Sequence, residues 1–301
     1  MIKKWFCAKG AYASGVEFII EKAIFLSGAA SILFVVLIFI FLLKEGLTLF
    51  GEVNIFSFIF GRHWYPISDP PQFGILPLIL GSFFVTAGAI VIAVPLGIAA
   101  AIYTAEVAPH SIRGILKSGI ELLAAIPSIV LGFIGIIFLA PLLKNLFHLP
   151  SGLTALAGAI MLAFMAMPTI VSIIEDAIVS VPKNYKEGSL ALGATHWQTI
   201  YRVILPAASS GILAAIMLGI GRVVGETMAV LMITGNAAVI PTSFLQPVRT
   251  LTATIAAEMG EAVAGSLHYY SLFAIGVVLF TISFIINLLA DIFLHRGAVK
   301  R

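Results

Sequence analysis

Two ionisable side chains stand four residues apart in sequence that otherwise looks built for lipid. In "GRVVGETMAV", residues 221–230, Arg222 and Glu226 follow the uncharged run from Val203 to Gly221, and the next charge after Glu226 is Arg249. At this spacing on one continuous helix the two share a face and can pair. An unpaired charge in hydrocarbon costs roughly 2.5–3.5 kcal/mol on insertion scales, so a mutually neutralised structural pair is the plain reading. Packed apolar residues, however, often replace a buried ion pair without loss, and ionisable residues inside a membrane mark substrate and ion paths. A guanidinium offers paired planar donors that suit a tetrahedral oxyanion, and it keeps its charge at any relevant pH. Arg222 is therefore the candidate anion contact. Glu226 would hold it while the path is empty and keep the anion from binding too tightly to leave. A solute that still carries a proton, such as hydrogen phosphate, could also donate to Glu226, which fully ionised sulfate cannot.

Positioning this pair requires a helix inside a bundle. Gly221 and Gly225 form a small-xxx-small step beside Arg222, and Gly219 precedes them. Small residues let a second helix come close. We expect this face to meet a second membrane subunit, which would put Arg222 on a shared axis; packing against another helix of the same chain is the alternative.

The rest of the chain is consistent with such a bundle. Of its 301 residues, 60% are hydrophobic and 10% charged, with a mean hydropathy of +1.12. Soluble domains are about a quarter charged, so the expected class is all-α, a polytopic protein in contact with membrane lipid. The net charge is +3 and the pI about 9.0, but the basic residues fall in clusters between apolar runs. That is a topology signal rather than a nucleic-acid surface. One cysteine, Cys7, precludes an intrachain disulfide, and the histidines show no HExxH spacing, so no metal site is expected.

A crossing needs about 20 apolar residues, and six are expected, near 23–43, 74–103, 120–143, 152–174, 207–233 and 271–294. The first is too long for a signal-peptide core and reads as an uncleaved spanning helix. In the second, Pro77 and Pro95 predict a kink or a shallow entry. With the N-terminus in the cytoplasm, the inner segments hold Lys3, Lys4, Lys9, Lys22, Arg113, Lys117, Lys183, Lys186, Arg202, Arg296, Lys300 and Arg301. The outer segments hold only Lys44, Arg62, Lys144 and Arg249. This asymmetry predicts a cell-membrane protein with both termini cytoplasmic. The expected organisation is a cytoplasmic segment 1–22, a first helix and external loop 23–73, a main membrane domain 74–294 and a cytoplasmic tail 295–301. The last external stretch, 234–270, is apolar enough to dip back.

The longest inner loop, "VPKNYKEGSLALGATHWQTIYRVILPAA" at 181–208, reads as two short helices joined at a glycine. Lys186 to Leu192 forms the first, and Gly193 supplies the positive φ that ends it. Thr195 caps the second, which carries Trp197, Ile200 and Ile204 on one stripe. Pro206 marks re-entry into the membrane. Either a groove on a cytoplasmic partner or the bilayer surface would accept such a face.

"EGSLALG" followed by "VILP" resembles the EAA loop of ABC-importer permeases, in which Glu-Ala-Ala, three residues, Gly, nine residues and Ile-x-Leu-Pro occur in that order. Glu187, Gly193, Leu205 and Pro206 keep the spacing, while Gly188, Ser189 and Val203 depart from it conservatively. The resemblance implies a type I ABC-importer permease fold and a coupling helix seated on an ATP-binding subunit, with Glu187 meeting a basic group there. The chain has no G-x-x-x-x-G-K-[ST], so no cofactor is expected in it, and ATP and Mg would sit on two partner subunits. No catalytic residue is expected either.

"GILPLILGSFFVT", "AVPLGIAAAIYTAEVAP", "IELLAAIPSIVLGFIG" and "GRVVGETMAVLMITGN" resemble, together with that loop, the permeases of phosphate-specific ABC importers, the PstC type rather than the PstA type. The resemblance implies a homologous PstA-type partner, an external phosphate-binding protein and phosphate as cargo. It also maps phosphate passage onto Arg222 and Glu226. Another oxyanion or an amino acid as cargo, a proton-coupled secondary carrier and a membrane scaffold are the competing readings.

Among other polar residues, Glu121 is expected at the first turn of the third span and Ser128 to bond its own helix backbone. Thr234 and Asn236 fit either turn chemistry or solute contact. Arg249, Glu258, Glu261 and Asp69 are expected on a solvated outer face that could grip a binding protein, and His268 has no evident partner.

Overall fold

The computed structural model describes residues 11–299. Lys3, Lys4, Cys7, Lys9, Lys300 and Arg301, and with them both extreme termini, lie outside the described residues. The chain opens with α1 (Ala11–Thr48), α2 (Ile55–Phe60) and a two-stranded hairpin, β1 (Trp64–Tyr65) paired antiparallel with β2 (Gln72–Phe73). There follow α3 (Leu76–Ile102), α4 (His110–Ala124), α5 (Ser128–Ile134), α6 (Ala140–Leu146), α7 (Ala155–Val179) and α8 (Lys183–Ala191). The chain closes with α9 (His196–Thr199), α10 (Leu205–Ala207), α11 (Ser209–Val224), α12 (Met228–Ile233), α13 (Leu251–Glu258) and α14 (Leu267–Val299). Widened π turns at Tyr103–Val107, Gly135–Leu139 and Ile200–Ile204 follow α3, α5 and α9. The molecule is all-α apart from the small hairpin.

Among the described residues, five stretches are long and apolar enough to cross a membrane: Glu17–Gly51, Leu76–Val107, Ser128–Leu146, Ala155–Val179 and Leu267–Leu289. A sixth is a bent pair, His196–Ala207 and Ser209–Val224, which turns by 70° between its halves. With the bent pair counted as one span the number equals the six expected, but two differ clearly from their predicted extent. The third was expected at 120–143. Instead α4 stops at Ala124 and the span begins at Ser128, because Pro127 has no N–H to continue the ladder and disfavours helix at Ile126 before it. Glu121 consequently lies inside α4, not at the opening of a span. The fifth was expected as one helix over 207–233, and it is interrupted at Gly225–Thr227.

At the centre stands α7, two-thirds buried over its most apolar window. The first half of its buried face is rich in small side chains, Ala155, Ala157, Gly158, Ala159, Ala163 and Ala166, and small residues let neighbouring helices come close; α3 and α11 both pack on it. Ile170 shows how closely they come: a Cβ added at Gly97 of α3 or at Gly219 of α11 would lie 2.8 or 2.7 Å from its side chain. By contrast α1 is exposed over most of residues 17–48 and leans on α14 through Phe39 stacked on Phe280 at 4.5 Å and Phe41 edge-on to Phe273 at 5.5 Å. Its hydroxyls return to their own helix, Ser27 to the Ala23 carbonyl and Ser31 to that of Ser27. A helix that is apolar all round and internally satisfied is suited to lipid.

A candidate anion path at a broken helix

Arg222 lies two residues before the end of α11, and its Nη1 donates to Thr169 Oγ1 of α7 at 2.9 Å. Thr169 is fourteen residues after Ala155 and ten before Val179 in that 25-residue helix, so it stands about 21 Å from one end and 15 Å from the other at 1.5 Å per residue. The guanidinium is therefore held near mid-span. It is on an exposed face of the chain.

Glu226 is not on the same helix. Gly225 ends α11, and Glu226 and Thr227 are non-helical before α12 starts at Met228. The expected pairing of Arg222 with Glu226 across one helical face is thus corrected: among the described residues no ion pair joins them. Glu226 Oε1 instead accepts from the Ala229 N–H at 3.2 Å, capping α12, and Thr252 Oγ1 of α13 donates to the Glu226 carbonyl at 2.9 Å. These bonds explain why the chain breaks here. Glycine weakens the helix, and the polar groups freed at membrane depth find a carboxylate and a hydroxyl as partners. Glu226 Oε2 makes no hydrogen bond with any described residue, so one carboxylate oxygen stays available beside the arginine's helix end.

The glycines divide as follows. A Cβ at Gly221 would meet nothing within 4 Å, and one at Gly225 would meet only the Gly221 and Arg222 carbonyls, at 3.5 and 3.9 Å. Packing within this chain therefore accounts for Gly219 but not for the Gly221–Gly225 step, which borders the open face of Arg222.

Segment 234–270 folds over the N-terminal parts of α3 and α7. Its loop carbonyls at Gln246 and Phe244 accept from Ala155 and Leu156 at the start of α7, and the Leu251 N–H donates to Ser82 Oγ of α3 at 3.0 Å. Thr234 and Asn236 serve the turn, as one of the two expectations held: Thr234 Oγ1 donates to the Val230 carbonyl, and Asn236 Nδ2 to that of Leu231, with Asn236 at φ 51°. Asp69 and Glu261 are exposed, as expected, but the other charges of this group depart from expectation. Glu258 receives Trp64 Nε1 at 3.1 Å and His268 Nε2 at 2.9 Å, and is bonded to Arg249 as well. Glu258, Arg249 and His268 are thus drawn into one partly buried cluster instead of lying on a solvated face, and His268 has a partner.

At the other end, α8 runs from Lys183 to Ala191, Gly193 adopts φ +83°, and Thr195 caps α9 in a reciprocal capping box with Gln198. Gly193 and Thr195 agree with the sequence, whereas α8 begins three residues before the expected Lys186. The predicted stripe of Trp197, Ile200 and Ile204 holds only in part: Trp197 is 65% exposed, whereas Ile200 and Ile204 are buried in the chain's own core. Trp197 is accompanied on the exposed surface by Tyr185, Leu192 and Tyr201 instead. Glu187 is exposed, Leu205 packs partly against the core, and Pro206 occupies the first turn of α10 just before the bend. Ser189, where the EAA pattern has Ala, is 3.0 Å from the buried Thr199 hydroxyl and ties the two short helices together.

Residues 93–297 match the family described as the binding-protein-dependent transport system inner membrane component. The chain belongs to this family. The permease is 44% identical over 256 residues to the probable ABC transporter permease protein YqgH of Bacillus subtilis, covering 84% of this chain and 83% of that one. It is 40% identical over 271 residues to the phosphate transport system permease protein PstC of Mesorhizobium japonicum, covering 84% and 81%, and 34% identical over 259 residues to PstC of Haemophilus influenzae, covering 80% and 81%. In fold it is similar to a chain of a bacterial ABC transporter involved in the import of the acidic polysaccharide alginate, with a TM-score of 0.62, 15% identity and coverage of 93% and 98%. The MetNI methionine ABC transporter gives 0.59 at 18% identity, covering 74% and 97%. This permease is a multi-pass membrane protein.

Thr169 and Thr252 were not singled out from sequence. The signal available was a hydroxyl following Pro168 inside an apolar helix, and a run of alternating threonines at 250–254.

Proposed function

We propose that this permease forms, with a homologous PstA-type subunit, the path of an ATP-driven phosphate importer, and that Arg222 is the anion's contact at mid-membrane. The observation that carries the reading is a guanidinium held near mid-span by a single threonine on a face its own chain leaves open. Lipid there would impose the cost of an uncovered charge; a partner subunit enclosing a wet path would not. The names of its PstC relatives support phosphate as the cargo. Glu226 contributes its uncommitted oxygen, which accepts the proton of hydrogen phosphate, so its role is discrimination rather than neutralising Arg222. The loop 181–206, with Glu187, Gly193, Trp197, Leu205 and Pro206, seats on an ATP-binding subunit, and the excess of inner basic residues orients both termini to the cytoplasm. ATP closure of two such subunits pushes the coupling helices together and opens the path to an external binding protein; hydrolysis resets it. The chain itself is non-catalytic, with ATP and Mg held by its partners.

The test is uptake of labelled phosphate by the reconstituted assembly. ATP-dependent uptake that Arg222→Gln abolishes, with the assembly still co-purifying, is the expected result. Normal uptake in that variant refutes the anion role, and uptake that survives ATP depletion but collapses with an uncoupler assigns the chain to secondary carriers.

A further inference from the structure

A cavity of about 350 Å³ lies between α4 and α8, on the face where the coupling loop emerges. Its polar wall carries Arg113, Lys183 and Lys186 against Glu106 and Glu187, over an apolar floor that includes Ile178 and Ile204. These charges are not equally satisfied. Lys186 is bonded to Glu106. Lys117, one turn beyond Arg113 on α4, lies outside the cavity lining and holds Asp176 at 2.9 Å with Glu175 at 3.6 Å. The Asp176 hydrogen bond raises the Lys117 ammonium above its ordinary value despite some burial. Arg113 has no such partner: its Nε is buried without an acceptor, and its guanidinium makes no hydrogen bond or ion pair with any described residue. A buried guanidinium N–H that lacks an acceptor calls for an anion from outside the chain.

From this geometry we infer that the cavity is a site for a phosphate group, anchored by Arg113 with Lys183 at its rim. It is separate from the path at Arg222, and it rests on the proposed orientation only in being cytoplasmic. The volume is about tenfold what one water occupies, roughly 30 Å³, which leaves room for the ester substituents of a headgroup. Depth agrees: the apolar span Leu76–Val107 ends beside Glu106, and α4 exposes Ile115, Leu122 and Leu123 as a helix does along the hydrocarbon boundary. Arg113 thus stands where anionic headgroups lie. Free cytoplasmic phosphate presents the same chemistry, and a carboxylate from the ATP-binding subunit would be a different occupant.

The experiment compares the assembled importer carrying wild-type chain, Arg113→Gln or Arg113→Lys, extracted from vesicles of phosphatidylcholine with phosphatidylglycerol, by native mass spectrometry. Retention of phosphatidylglycerol about tenfold lower in Arg113→Gln, the factor one charge-assisted hydrogen bond supplies, and largely preserved in Arg113→Lys, supports a lipid source. Binding of radiolabelled inorganic phosphate to the Arg222→Gln assembly that Arg113→Gln removes supports the free anion. If neither depends on Arg113, the inference is overturned. It is overturned equally if Arg113→Gln sheds ATP-binding subunits while keeping its phosphatidylglycerol. Uptake by the wild-type assembly is measured separately: failure there overturns the transport reading and leaves the lipid result intact.

Discussion

A guanidinium has five donors, and among the described residues Arg222 uses one, toward Thr169 Oγ1. That bond fixes a side chain that otherwise carries about 2 kcal/mol of rotamer entropy, while leaving most donors free for an anion. Thr169→Val should therefore lower phosphate uptake roughly five- to thirtyfold, as a loss of ~1–2 kcal/mol gives, with assembly unchanged and recovery in Thr169→Ser. Uptake unaffected by the valine would show that Arg222 is positioned by something else. Glu226 calls for a different substitution. Its Oε1 caps α12, and a glutamine carbonyl can accept the same bond, so Glu226→Gln separates the cap from the charge. We expect the variant to assemble normally and its preference for phosphate over sulfate to fall by about tenfold, read from competition uptake assays. Unaltered selectivity would confine Glu226 to capping.

At the level of elements, how much was legible in the sequence depended on how locally each feature is determined. The 181–208 loop was readable because a positive-φ glycine and a capping threonine act within a few residues, and both Gly193 and Thr195 behave as their types dictate. The stripe of Trp197, Ile200 and Ile204 failed in part: Ile200 and Ile204 are buried in the core, while Trp197, on the short α9 before them, is exposed, and residue type alone does not tell a core apolar side chain from an exposed one. The path helix failed for a longer-range reason. Arg222 and Glu226 were read at helical spacing, yet the break between them is satisfied by Thr252, 26 residues away, and the Glu258 cluster joins Trp64 to Glu258 across 194. Such contacts leave no periodicity. Gly193 gives the prediction at this scale. Its added Cβ would meet nothing within 4 Å, so the only penalty of Gly193→Val is backbone, about 1–2 kcal/mol for a left-handed residue and more for a β-branched one. The penalty reorients α8 against α9 without touching the core. Membrane insertion should be normal, while the ATPase activity of the assembly loses its stimulation by the loaded binding protein. Fully coupled transport in that variant would mean the loop is not the docking element.

For the molecule as a whole, the question is what covers the face that Arg222 and its glycines leave bare. The chain packs its own bundle around α7 and spends Gly219 on that purpose, since a Cβ there would come within 2.7 Å of Ile170. Two residues on, Gly221 is exposed and has open space where a Cβ would go. The same substitution at these neighbours therefore separates folding from assembly. Gly219→Leu overpacks the interior, at a cost of about 1–3 kcal/mol, and should lower the thermal stability and yield of the isolated subunit. Gly221→Leu adds volume only outside the chain, so the subunit should insert and melt as the wild type does. Yet if the Gly221–Gly225 step is where a homologous helix comes close, a leucine there holds the two apart, and co-purification of the partner permease should fall with transport. A Gly221→Leu subunit that still recovers its partner in full would place the subunit contact elsewhere, and the exposed guanidinium would then need another explanation for its cover.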